Sequence, residues 1–197
     1  MTGYTIPYVS TRTRNGERTS DIYSRLLGDR ILYLGTPIDD GVANAVIAQL
    51  IHLESENPEA PVSLYLNSPG GSTTAMLAIY DAMQFVRPAV HTTCVGQVVA
   101  NAAVLLAAGA AGHRQILPHG RVVLHQPAAE GHRGTIPDLI LEADEVERTR
   151  SLLEAVLARH TGRTPERVRA DTERDLVLTA DGAVDYGIVD RVLTDRE

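Results

Sequence analysis

The chain has 197 residues, 44% hydrophobic and 22% charged, with a formal net charge of −7. This is one domain's worth of sequence with a sizeable core, and its acidic balance lacks the clustered basic surface of a nucleic-acid binder. One cysteine excludes an internal disulfide or a Cys-rich metal site, aromatic residues at 4% leave little for base stacking, and no run approaches the roughly 18 apolar residues of a membrane span.

The N-terminus, "MTGYTIPYVSTRTRNGERTSD", has no basic-then-apolar leader pattern, so a cytoplasmic location is expected. Residues 1–20 are polar and rich in Thr and Arg outside the patch Ile6 to Val9; they are expected to form a mobile arm, with 21–197 a single domain. "RILYLG" (30–35) is a short apolar run closed by Gly, hence a strand. Asp39 and Asp40 can cap a helix through about Glu56, with Val42, Val46, Ile47 and Leu50 on one face. "PVSLYLN" (61–67) alternates as a strand with Val62, Leu64 and Leu66 on one side. After "SPGG" a helix is expected over 72–86, capped by Ser72 and stopped before Pro88.

"AVHTTCVGQVV" reads as a strand, "ANAAVLLAAGA" as a helix of small residues, and "RVVLHQP" as another strand. The alternation predicts an α/β fold with a mostly parallel sheet. Residues 137–160 place Leu139, Ala143, Val146, Leu153 and Leu157 at helical spacing. A helix that long either packs on another subunit or ends the core of its own. The tail predicts two short helices and a last strand, with Thr164–Pro165 starting the first.

Few residues point to chemistry. "NSPGGS" (67–72) follows a strand and opens a helix, and paired glycines there let backbone N–H groups face outward, as an oxyanion or phosphate requires. A plain strand–helix turn has the same pattern. His125 sits within "VVLHQP", where a lone histidine is more often a packed residue than a catalyst. Asp175 is one of 25 acidic residues. The other six histidines show no ligand spacing, and no phosphate-binding loop or dinucleotide fingerprint is present. Cys94 lies in an apolar run and reads as an inert thiol.

The blocks "DIYSRLLGDRILYLGTPIDD", "LYLNSPGGS", "AIYDAMQFVRP", "CVGQVVANAAVLLAAGA", "RVVLHQP" and "DTERDLVLTADGAVDYGIVDRVL" occur in this order. Together they resemble the proteolytic subunit of the Clp ATP-dependent protease from about residue 7 to 194, with one extra residue between His125 and the long helix. The resemblance implies a ClpP/crotonase-type fold, with stacked strand–helix units as a head and a handle over about 128–160. It also implies two stacked seven-membered rings of this chain or a paralogue, enclosing a Ser-His-Asp serine-peptidase chamber. A ring ATPase feeds that chamber unfolded proteins. No cofactor is implied in this chain, ATP being used by the partner; neither nucleic acid nor membrane is implied.

By the same resemblance His125 takes the general-base position, Asp175 the orienting carboxylate, and the N–H groups of Gly71 and Asn101 the oxyanion hole. The nucleophile position falls on Ala100. With a methyl group there is no oxygen to attack the scissile carbonyl, and what remains is on the order of 10³–10⁴-fold over water. Ser68 and Ser72 flank the glycine pair, but no block places them at the corner. Two origins fit Ala100: a deliberate substitution, or a natural paralogue that has lost catalysis. "VVAN" departs from the family's usual "AASM" or "AASA" at several positions, which leans towards the paralogue, while lineage variation at Val98, Val99 and Asn101 keeps the other open.

The ATPase-docking pocket maps to Ser63, Tyr65, Phe85, Thr93, Val95, Gln115 and Leu193, with Ser63 and Gln115 standing where aromatic residues are usual. Polar groups in an apolar anchor pocket weaken it, so poor docking on this face is expected. Glu173 and Arg174 match the family's ring-to-ring charged pair; without the resemblance they are a solvated surface pair. Two rivals remain. One is a structural or regulatory subunit of a mixed ring. The other is a crotonase-like acyl-CoA enzyme, disfavoured by the "HQP" and "DTERD" blocks and by the absence of lysine.

Overall fold

A computed structural model describes residues 5–13, 16–126 and 135–195. The chain opens with a hairpin of β1 (Tyr8–Thr13) and β2 (Gly16–Asp21), paired antiparallel with Tyr8 opposite Asp21. These residues belong to the segment expected as an arm; their β-branched Thr and Val favour extended backbone. Asp21 then caps a short helix, α1 (Ile22–Gly28), by accepting from the Ser24 N–H at 3.0 Å.

The body is a seven-stranded sheet. Its parallel path runs through β3 (Ile31–Leu34), β4 (Val62–Ser68), β5 (Val90–Val99), β6 (Arg114–Ile116) and β9 (Arg191–Val192). β7 (Arg121–Leu124) also pairs with β5, in parallel, and carries β8 (Leu176–Leu178) antiparallel on its other side. The predicted alternation of β4 is observed: Val62, Leu64 and Leu66 are buried while Ser63, Tyr65 and Asn67 are half-buried.

Helices join the strands as the pattern requires. α2 (Asp40–Glu56) is capped by Asp39 and buries Ala43, Val46, Leu50 and Leu53. α3 (Thr73–Phe85) is capped by Ser72. α4 (Asn101–Ala107) buries all seven residues, so small side chains let it sit against β5 within the core. The tail adds α6 (Pro165–Asp171) and α7 (Ala180–Tyr186), with β8 between them, a strand too short to show in the sequence.

The long helix, α5 (Ile136–Thr161), starts on a Thr135–Asp138 capping box and ends at left-handed Gly162. The expected handle start at 128 lies outside the described residues. Only the second half of α5 is packed: Leu153, Val156, Leu157 and Ala158 are buried, whereas Leu139 and Ala143 of the predicted stripe are exposed. The helix is about 39 Å long at 1.5 Å per residue, and its first turns stand clear of this chain's core.

Candidate active site

β5 runs straight into α4 through Ala100, which has φ 48° and ψ −111°. A positive φ is costly for any residue with a Cβ, and a sharp strand-to-helix corner of this kind lifts its side chain away from the sheet. The corner is pinned: Ala100 N–H donates to Val123 O at 2.8 Å, and Ala100 O accepts from Ala103 and Val104.

The glycine pair abuts this corner. Gly70 and Gly71 have φ of 90° and 145°; a Cβ on Gly70 would come 2.7 Å from Val99 O, and one on Gly71 would strike the Ile38 backbone. Asn101 ties the segments together, its Nδ2 donating to Gly71 O at 2.6 Å and to Thr73 Oγ1 at 3.1 Å. Among the described residues the backbone N–H groups of Gly71 and Asn101 have no acceptor. Two unengaged donors on adjoining backbone are what stabilisation of a developing oxyanion needs.

His125 is one residue beyond β7 rather than inside the strand, because the ladder with β8 ends at Leu124 opposite Leu176. One further step along that antiparallel register sets His125 across from Asp175, which precedes β8. The two side chains are not hydrogen-bonded: His125 Nδ1 pairs with Gln126 O at 2.9 Å, and Asp175 is exposed. Ala100, Asn101 and His125 share one cavity of about 30 Å³. The structure thus brings the corner, the Asn101 N–H and the imidazole together and, among the described residues, sets Asp175 beside His125 without a hydrogen bond between them.

Neither nearby serine serves the corner. Ser68 is fully buried, donating to Thr36 O and accepting from Gly70 N–H, and Ser72 is occupied as the α3 cap. Cys94 is buried, and burial pushes its thiol up to about 11. Among the described residues no three His, Cys, Asp or Glu side chains group as metal ligands, and no helix is long and apolar enough to cross a membrane.

Sequence reasoning missed Arg150 and Glu154, which line the same cavity from α5. Their signal was a charged i, i+4 pair inside the apolar stripe between Val146 and Leu157.

Most of the remaining candidates fall on one sheet face. The register aligns Tyr33, Tyr65, Thr93, Gln115 and Arg191 in a single cross-strand row, with Ser63 and Val95 two residues away along their strands. With its amide oriented towards Arg191, Gln115 Oε1 accepts from Nε and Nη2 at 3.1 and 2.7 Å. Leu193 N–H donates to Ile116 O and extends the ladder, while Phe85 closes α3 at 84% exposure. Glu173 and Arg174 are exposed in the α6–β8 link.

The family described as Clp protease matches residues 14–196. The chain is 61% identical, over all of both chains, to "ATP-dependent Clp protease proteolytic subunit 1" of Nocardia farcinica. It is 58% identical to "proteolytic subunit 4" of Rhodococcus jostii, covering 98% of this chain and 99% of that one. It is 56% identical to "proteolytic subunit 2" of Streptomyces avermitilis, covering 100% and 98%.

Proposed function

Because this chain belongs to the Clp protease family of proteolytic subunits, we propose that it builds a Clp chamber without itself cutting peptide bonds. The observation that carries this reading is Ala100, a methyl group on a strained corner that otherwise has the surroundings of a serine nucleophile. In an active subunit the hydroxyl proton passes to the imidazole as Oγ bonds to the scissile carbonyl carbon. The N–H donors hold the oxyanion, and the imidazole returns the proton to the leaving amine. Here His125 and the donors remain in place, while no atom is present to form the acyl-enzyme.

On this reading the chain joins two stacked seven-membered rings, with itself or with an active paralogue, and unfolded proteins arrive from a Clp ring ATPase. Docking on this subunit's face is weak. Gln115 is engaged with Arg191 in the middle of the row, and burying that pair under an apolar anchor strips it of water without return. In a mixed particle the partner ring then supplies the productive docking face.

Ala100→Ser tests the reading with a fluorogenic peptide, alone and mixed with a related active subunit. We expect hydrolysis to rise by about 10³-fold or more over the unsubstituted chain, because Oγ supplies the nucleophile that the corner beside His125 lacks. A serine variant that stays silent in both settings shows the frame to be unpoised. Hydrolysis by the unsubstituted chain at the variant's rate overturns the proposal.

A further inference from the structure

The chain has a net charge of −7, yet one surface cavity gathers charge of the opposite sign. Its volume is about 440 Å³, within the range of roughly 300–1,000 Å³ usual for small-molecule sites. It lies where the chain turns from α3 into β5, beside the C-terminal ends of α4 and α5. Arg87, Arg114, Arg159 and His160 line it, and among the described residues no Asp or Glu does.

One of these cations is committed. Arg114 binds Asp190 through Nε and Nη2, and its Nη1 donates to Ala107 O and His160 O. Those bonds already serve the negative ends of α4 and α5, so Arg159 is not required there. Arg87 and Arg159 are exposed, and among the described residues neither guanidinium has a hydrogen-bond or ion-pair partner. Glu54 takes the backbone N–H of Arg87 at 2.9 Å and leaves its side chain free. His160 is half-buried, with Nε2 paired to Tyr80 Oη at 3.1 Å. Burial first, and then the charges of Arg159 and Arg114, hold its imidazole below the ordinary 6.5. Positive charge therefore converges on this part of the cavity wall.

We propose that this cavity binds a phosphate dianion, free or as the head of a small ester. A phosphate monoester has three strong acceptor oxygens and about −1.5 to −2 charges at pH 7. It thus matches two uncommitted guanidinium forks, each able to meet it through paired, charge-assisted bonds. A carboxylate has one charge and two oxygens, and would leave one arginine unpaired. Val86, Pro88 and Val90 wall the space beyond the cations, which suits the organic part of an ester. The site shares no residue with the cavity of Ala100 and His125, so it stands whether or not this chain cuts peptides.

The test is equilibrium dialysis of radiolabelled inorganic phosphate against the assembled, unsubstituted chain, with ionic strength held constant by chloride. One phosphate per chain should bind saturably. Arg87→Gln and Arg159→Gln should each weaken binding at least tenfold, at unchanged circular dichroism and particle mass. Arg148→Gln, which removes an exposed arginine of α5 outside the cavity, should leave binding unaltered. Should one cavity variant fail to assemble, the other and the competition below still decide. Acetate should displace the label at least tenfold less well than unlabelled phosphate. Glycerol phosphate that competes as well as phosphate identifies an ester as the ligand, and its failure to compete identifies the free anion; both support the inference. Absence of saturable binding, binding that survives substitution of either cavity arginine, or equal displacement by acetate overturns it.

Discussion

A methyl group at position 100 carries a backbone cost without a chemical return. A residue with a Cβ at φ 48° is strained by about 1–3 kcal/mol, and the bonds from Ala100 to β7 and into α4 hold it there. Glycine would relieve the strain while enlarging the unfolded ensemble by about 0.4–1 kcal/mol. Ala100→Gly should therefore stabilise the fold by about 1 kcal/mol, seen as a higher urea midpoint at unchanged slope. A lower midpoint would mean that this corner costs the alanine nothing. Serine has the same backbone restriction as alanine, so Ala100→Ser should regain chemistry without gaining stability. Part of this corner was legible in the sequence: the strand, the small-residue helix and the break between them fixed its place. Its strain was not, because alanine carries no sign of positive φ.

Arg114 shows how the elements behind that corner are locked. Its side chain is 11% exposed; Nε and Nη2 hold Asp190, and Nη1 reaches Ala107 O, His160 O and Gly187 O. Those carbonyls close α4, α5 and α7, so one cation satisfies the negative ends of three helices. Removing it strands a carboxylate and three carbonyls, and Arg114→Ala should cost about 3–5 kcal/mol. Burial pushes the Asp190 carboxyl up, but the Arg114 hydrogen bonds and charge outweigh it and hold the group below its ordinary 3.8. Stability from this pair is thus complete above that value and lost as pH falls through the lower folded one. Thermal unfolding from pH 6 to pH 2.5 should show that loss in the unsubstituted chain and a flatter acid limb in Arg114→Ala; parallel limbs would exclude the linkage. Nothing in "AAGHRQIL" announces this role. β6, β8 and β9 have two or three residues each, too few for alternation to be read, and their places are set by pairing with longer strands. The same limit hid the proximity of His125 and Asp175, which depends on the β7–β8 register rather than on spacing. By contrast β4, α2 and α3 were readable because their apolar periods are long and their caps, Asp39 and Ser72, are explicit.

For the whole molecule, what remains uncovered matters most. The first turns of α5 present Ile136, Ile140 and Leu141 at 75, 56 and 68% exposure, an apolar strip of the kind that another subunit covers. Glu173 and Arg174 are exposed close in sequence to Asp175, so on the proposed assembly the ring-to-ring charges lie beside the site and any change in ring contact reaches it through β8. One exposed ion pair is worth less than about 1 kcal/mol, too little to join two molecules. Repeated around a seven-membered ring, even a few tenths of a kcal/mol per copy sums to a few kcal/mol, enough to shift the equilibrium between single and double rings. Arg174→Ala should therefore halve the particle mass in analytical ultracentrifugation at concentrations where the unsubstituted chain stays double. Added salt should drive the unsubstituted particle the same way, since exposed charges are screened. Double rings that persist in Arg174→Ala at every salt concentration would place the cohesion in the apolar strip of α5 instead, and Ile140→Ser would then be the change that separates them.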